Sequence, residues 1–176
     1  PFEKEEIFWN PSKFEYFLPS SRKARNIVLF KLHGSINWMR ATDSGRIIQA
    51  PPMYDAIDSD AYQNMIIYPA GNKVAISEPY VTGYRYFSKC CEHAKLILAI
   101  GYSFRDYDTV SSIIRATEVN EGISLSLLSP DAWQILESIP VLEIFNKDPI
   151  YGKFGDPKDS PGYLNSIKSR MTKKIG

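Results

Sequence analysis

Unbroken apolar runs alternate along this chain with stretches of helical period. The clearest run is 96–100, Leu-Ile-Leu-Ala-Ile, which contains no polar position. A run without alternation fits a strand buried on both faces, as in a parallel sheet covered by helices. The run breaks at Gly101 and passes through Tyr102, Ser103, Phe104, Arg105 and Asp106. Val110, Ile113, Ile114 and Thr117 then recur at three- and four-residue steps, which predicts a helix over about 107–119. Strand, glycine turn and helix together present turn amides and a helix N-terminus to a phosphate beyond the strand's carboxyl end. Taken alone, one such turn has low specificity.

The rest of the pattern supplies partners for this unit. Residues 26–32 read as a second buried strand ending in His33 and Gly34, where a ligand cleft lies in open α/β sheets. A short strand at 38–40, the turn signal Asp43-Ser44-Gly45 and a strand at 46–48 follow. Residues 49–64 read as a loop, 65–68 as a short strand, and 78–94 as a helix with Tyr80, Tyr84, Phe87 and Cys91 on one face. Beyond the helix at 107–119 come a strand at 123–128, a short helix at 132–138 with Asp131 as its candidate cap, and a strand at 141–145. The second half is therefore β-α-β-α-β, which predicts a parallel sheet. A terminal helix is expected over 163–174.

Composition narrows the class. The chain has 176 residues, 44% hydrophobic and 23% charged, enough for one globular domain with a sizeable core. A net charge of +1 makes no global case for nucleic-acid binding. No apolar run is long enough to span a bilayer, and no segment reads as a signal peptide. Cys90 and Cys91 are adjacent and have no second pair. They read as inert thiols in a reducing, cytoplasmic compartment, neither a disulfide framework nor a zinc site. The aromatic-rich residues 1–25 are expected to dock on a main body at 26–146, followed by an extension at 147–176. The chain begins at Pro1 and has no G-x-G-x-x-G turn, which predicts a part of a longer domain.

Two motifs stand together: Lys31-Leu32-His33-Gly34-Ser35-Ile36-Asn37-Trp38 and Ile100-Gly101-Tyr102-Ser103-Phe104-Arg105-Asp106. In this order and spacing the pair resembles the SIR2-like domains, relatives of the sirtuins, in the form found in bacterial and phage-defence proteins. The resemblance covers about 26–145. It implies a Rossmann-like α/β fold, with a mostly parallel sheet and helices on both faces. The first glycine-rich βα unit and the zinc module would be lacking. It also implies NAD as the substrate, with NAD or ADP-ribose as the bound partner and no zinc or other metal. His33 matches the family's general base beside the nicotinamide ribose. Gly34 and Ser35 complete that motif. Gly101, Tyr102, Ser103, Phe104 and Asp106 match the turn that approaches the NAD phosphates and ribose. Ser129 matches the segment beside the adenosine ribose.

The residue chemistry agrees with those roles. Cleaving a nicotinamide–ribose bond builds oxocarbenium character, and a histidine suits the base beside it. Phe104 either stacks on a ligand ring or packs under the turn; Asp106 caps the helix, orients a ribose hydroxyl, or does both. Trp38 reads as core and His93 as structural. The leading expectation is an NAD glycohydrolase in the intact protein, plausible in anti-phage defence, with the isolated chain inactive. An NAD-dependent protein deacylase and a non-catalytic NAD- or ADP-ribose-binding module are the alternatives. A sheet edge left uncovered would favour a homo-oligomer.

Overall fold

A computed structural model of the chain describes residues 9–12, 29–50, 60–66, 77–140, 142, 146–152, 156, 158 and 160–175. The chain divides into two compact units, Pro1–Phe87 and Ser88–Gly176.

The first unit holds β1 (Gly34–Ala41), β2 (Ile47–Gln49) and β3 (Tyr62–Ile66) in the antiparallel order β2-β1-β3. The hairpin between β1 and β2 closes as expected at Asp43-Ser44-Gly45. Gly45 adopts φ +66° and donates its amide to the Ala41 carbonyl at 2.9 Å. Both faces of this sheet are covered. Trp38, Ile47, Met65 and Tyr80 cluster with Trp9 on one, and Met39, Ile48 and Ala50 with Tyr62 on the other. Trp38 is thus core, as expected.

Helix α1 (Tyr80–Glu92) begins in this unit and ends in the other. Glu78 organises its start. Its carboxylate accepts hydrogen bonds from the Thr82 hydroxyl at 2.6 Å and the Trp9 indole at 3.1 Å, and its carbonyl accepts one from Arg40 at 2.9 Å. One acidic side chain thereby ties the N-terminal aromatic residue to the helix. Tyr80 and Cys91 are buried as the helical period required, while Tyr84 and Phe87 are half-buried and Thr82 and Tyr86 complete the buried set.

Two expectations change here. The strand read at 26–32 is absent over its described residues, 29–32; residues 26–28 lie outside the described residues. The Gly34 amide instead donates to the Lys31 carbonyl at 3.0 Å, closing a turn that leaves Leu29 75% exposed. Strand structure starts at Gly34, and that strand is antiparallel. In addition β3 starts at Tyr62, inside the stretch read as loop, because its backbone pairs Ala41↔Tyr62 and Arg40↔Gln63.

The second unit holds β4 (Leu96–Ile100), α2 (Tyr107–Val119), β5 (Ser124–Leu128), α3 (Ala132–Glu137), β6 (Asn146–Ile150) and α4 (Ser160–Ile175). The three strands are parallel in the order β4-β5-β6, as the β-α-β-α-β pattern predicted. The run at 96–100 is a strand, but it is half-buried, with Ile100 41% exposed. The strand buried on both faces is β5, all five residues of it. It occupies the centre of the three, whereas β4 pairs on one side only among the described residues. On α2 the buried positions are Val110, Ser112, Ile113 and Ala116. Small side chains at 112 and 116 let the helix sit close, and Ile114 and Thr117 fall to its flank.

The third parallel strand is β6; of the stretch 141–145 read as a strand, only Leu142 lies within the described residues. Leu142 is fully buried within a short helical turn, its amide donating to the Ile139 carbonyl at 3.0 Å. Pro149 sits within β6, and an outer strand of the three tolerates the missing amide. Asp131 stands at the N-cap of α3 without a side-chain cap bond; the Ser129 hydroxyl accepts from the Asp131 amide at 3.3 Å. The terminal helix forms as α4. Among the described residues no helix is long and apolar enough to cross a membrane.

Both cysteines are free, and burial pushes the Cys91 thiol from 9.0 up to about 12, with the charges of Cys90 and Glu92 adding to it. Such a group favours folding while protonated: its contribution is intact below pH 9 and is lost as pH rises toward 12. Urea-denaturation midpoints should therefore hold steady up to pH 9 and then fall, and Cys91 should resist disulfide-exchange reagents at pH 8 until the chain unfolds. A second outcome concerns Gly34, held at φ +86°, where an added Cβ would run into the Met65 carbonyl oxygen. The variant Gly34→Ala should lose about 2–3 kcal/mol of stability in the same assay.

Candidate functional site

The turn after β4 is built by two residues of positive φ. Gly101 has φ +60° and Phe104 has φ +56°. For Phe104 this left-handed conformation costs roughly 1–2 kcal/mol. Burial offsets it: Phe104 is 6% exposed, and its ring lies 4.7 Å from that of Tyr102, tilted by 59°. Phe104 thus packs under the turn, and the exposed Ser103 is carried on top of it. The Tyr102 hydroxyl donates to the Asp106 carbonyl at 3.4 Å, and burial pushes its phenol up to about 12. It remains neutral throughout the physiological range.

Gly101 is exposed, and nothing lies within 4 Å of where a side chain would begin. Its own amide is spent on the Leu128 carbonyl at 3.0 Å, extending the pairing of β4 with β5. Gly101 therefore contributes open space and a change of direction, and any amides offered to an anion must come from the residues after it. Asp106 then caps α2. Its carboxylate accepts from the Asp108 amide at 3.2 Å and from the Thr109 hydroxyl at 2.6 Å. The cap read for Asp106 is therefore present.

The parallel register carries this turn into a row. Ile100, Leu128 and Ile150 stand opposite one another, so Gly101, Ser129 and Tyr151 follow three neighbouring strands at one edge of the sheet. Neighbouring strands lie about 4.8 Å apart, placing Tyr151 roughly 10 Å from Gly101. Ser129 is buried and committed to the backbone of this edge: its amide donates to Ile150 at 3.1 Å and its carbonyl accepts from Ala132 at 3.3 Å. The structure thus brings Gly101, Tyr102, Ser103, Phe104, Asp106 and Ser129 onto one edge. Tyr151 belongs to the same row and escaped sequence reasoning, because the strand before it was read at 141–145.

The residues of the other motif belong to the first unit. His33 is exposed in the turn that precedes β1. Gly34 is required by the close approach of Met65. The Ser35 hydroxyl accepts from the Lys31 ammonium at 2.9 Å and donates to the Asn37 side-chain oxygen at 2.6 Å. A lysine–serine–asparagine chain therefore flanks His33. It joins positions four and two residues apart, a spacing the pattern does not mark as chemistry. His93 lies at the end of α1, its Nδ1 2.8 Å from the Lys89 carbonyl. Among the described residues no three His, Cys, Asp or Glu side chains are grouped to hold a metal.

Neither a family model nor a curated protein sequence matches the chain. Solved structures do. One, described as the structural basis for the mechanism and regulation of Sir2 enzymes, shares 15% identity at a TM-score of 0.52, covering 84% of this chain and 59% of its own. A mutant Sir2 homologue in complex with ADP-ribose shares 19% identity at 0.51, covering 83% of this chain and 55% of its own. Another mutant, in complex with 2′-O-acetyl-ADP-ribose, shares 17% at 0.50, with 86% and 57% covered. The chain therefore has a Sir2-type, Rossmann-like α/β fold, and it spans somewhat over half the length of these structures.

The cap on α2 makes a direct test of how the turn is held. Asp106→Ala removes two hydrogen bonds at an N-cap and should cost about 1–2 kcal/mol in urea denaturation, while Asp106→Asn should retain most of that stability.

Proposed function

We propose that the chain is the larger part of an NAD-binding Sir2-like domain, and that the protein to which it belongs is an NAD glycohydrolase. The observation that carries this reading is the turn at Gly101–Asp106. It follows a parallel strand, is open to an approaching ligand at Gly101, and leads into a capped helix. The Sir2-type fold supports it, as do ADP-ribose and its acetyl derivative in the matched structures.

In this reading the pyrophosphate of NAD lies on the turn after Gly101, with Ser103 as a donor and the N-terminus of α2 supplying partial positive charge. The adenosine half runs along the row toward Ser129. The motif resemblance makes His33 the base for nicotinamide release. The bond between the ribose anomeric carbon and the nicotinamide nitrogen breaks, and nicotinamide leaves neutral with the bonding pair. A water adds to the oxocarbenium carbon while His33 takes its proton, giving ADP-ribose. Lys31, Ser35 and Asn37 stiffen the segment that carries His33. The forms of the two motifs support a role in anti-phage defence, where depletion of NAD would halt an infected cell.

Nicotinamide release by the full-length protein tests the reading. His33→Ala should lower the rate by about a hundredfold or more. Equal rates would remove His33 from the mechanism, and NAD binding without release under any activating condition would favour a binding module. Gly101→Ala separates ligand approach from folding. It should cost only about 1 kcal/mol in stability, for the left-handed backbone, yet weaken NAD binding severalfold, because the new methyl group enters space reserved for the ligand.

A further inference from the structure

His33 stands in a turn whose neighbours are tied down. The residues before it dock on α1. The Phe30 ring meets that of Phe87 edge-on, centroids 6.5 Å apart, and a Cβ placed on Gly83 would lie 4.0 Å from the Leu32 side chain. The turn closes from the Gly34 amide to the Lys31 carbonyl at 3.0 Å. Gly34 then pairs with Ile66 of β3, close against the Met65 carbonyl.

A second link, made of side chains, runs across the same segment. The Lys31 ammonium donates to the Ser35 hydroxyl at 2.9 Å, and that hydroxyl donates to Asn37 Oδ1 at 2.6 Å. The first of these bonds joins the two ends of the stretch 31–35, and His33 is its middle residue. The far end of the link is anchored, because the Asn37 carbonyl accepts the Ala50 amide at 2.8 Å. The link sits where β1 departs from regular pairing. Its register with β3 shifts between Gly34 and Met39, and Ile36 within that bulge is 70% exposed.

Stability does not account for this link. Lys31 is exposed, so water competes for its hydrogen bond and little is added to folding. Holding a lysine side chain in one conformation also costs rotamer entropy. What the link restricts is the backbone on either side of His33, and a catalytic group works only when its supporting contacts hold it in place.

We propose that Ser35 is a positioning residue: with Lys31 and Asn37 it clamps the turn so that His33 meets the ribose in a productive orientation. This rests on the reading of His33 as the base. A base acts only within hydrogen-bond reach of the proton it takes. A loosened turn therefore slows the chemical step, while the hold on the dinucleotide, whose phosphates lie at the Gly101 turn in that reading, is kept.

Nicotinamide release by the full-length protein, measured beside hydrogen exchange at the Gly34 amide, tests the clamp. Ser35→Ala and Lys31→Met should each lower kcat about tenfold and leave KM for NAD within about twofold. Exchange at Gly34 should quicken by a similar factor, while exchange at the fully buried Leu125 stays the same. Ser35→Thr keeps the hydroxyl and should restore the rate. The double variant should be no slower than either single one, since both changes break one link, whereas independent losses would multiply. With His33→Ala slow, three results would each overturn the clamp and leave His33 as the base: unchanged exchange at Gly34, an unchanged kcat in Ser35→Ala, or losses that multiply. A His33→Ala variant as fast as the parent, or a parent that releases no nicotinamide, would overturn the reading of His33 and the clamp's role with it.

Discussion

Strand β5 lies between β4 and β6 with every residue buried, and its backbone sets the register of both neighbours. Ile100, Leu128 and Ile150 are opposed, so three strands end at one level. The turns that follow cannot be displaced singly, because the Gly101 amide bonds Leu128 and the Ser129 amide bonds Ile150. A one-residue slip of β4 would turn its side chains to the other face and move Gly101 off that level. The level of that edge is thus a consequence of core packing several residues away.

Within that edge, local strain and burial are balanced. Holding Phe104 at positive φ costs roughly 1–2 kcal/mol, and burying its ring returns roughly 2–3 kcal/mol. The net effect favours the turn by a small margin. The cap at Asp106 adds a second hold on the same segment, from the helix side. A turn kept in a sparsely populated conformation by burial and capping is preorganised, and a ligand binding there loses little further entropy in ordering it.

The first unit solves a different problem with different means. Its antiparallel sheet is short, and Glu78 gathers Trp9, Thr82 and Arg40 around the start of α1. Gly34 lets β1 approach β3 more closely than any other residue would allow. The glycine beside His33 therefore has a structural duty, independent of whatever the histidine does. Mutational loss at Gly34 would by itself say nothing about catalysis.

The sequence determined the elements whose signals are local. The helical period marked α1, α2 and α4; the punctuation at Asp43-Ser44-Gly45 marked the hairpin; and the alternation of strands and helices after residue 95 implied parallel pairing. The pairing of the two motifs pointed to the Sir2-type fold on the same footing, through residue types at fixed spacing. Tertiary structure decided what depends on neighbours. The apolar run 96–100 does not say that it lies at one side of the three strands, nor does the Ser-Leu alternation of 124–128 say that it is buried throughout. Residues 29–32 have the composition of a strand, yet the bond from the Gly34 amide to Lys31 closes a turn there. Residues 141–145 have it too, yet the partner of β5 is 146–150, because pairing follows register and core volume and not local propensity.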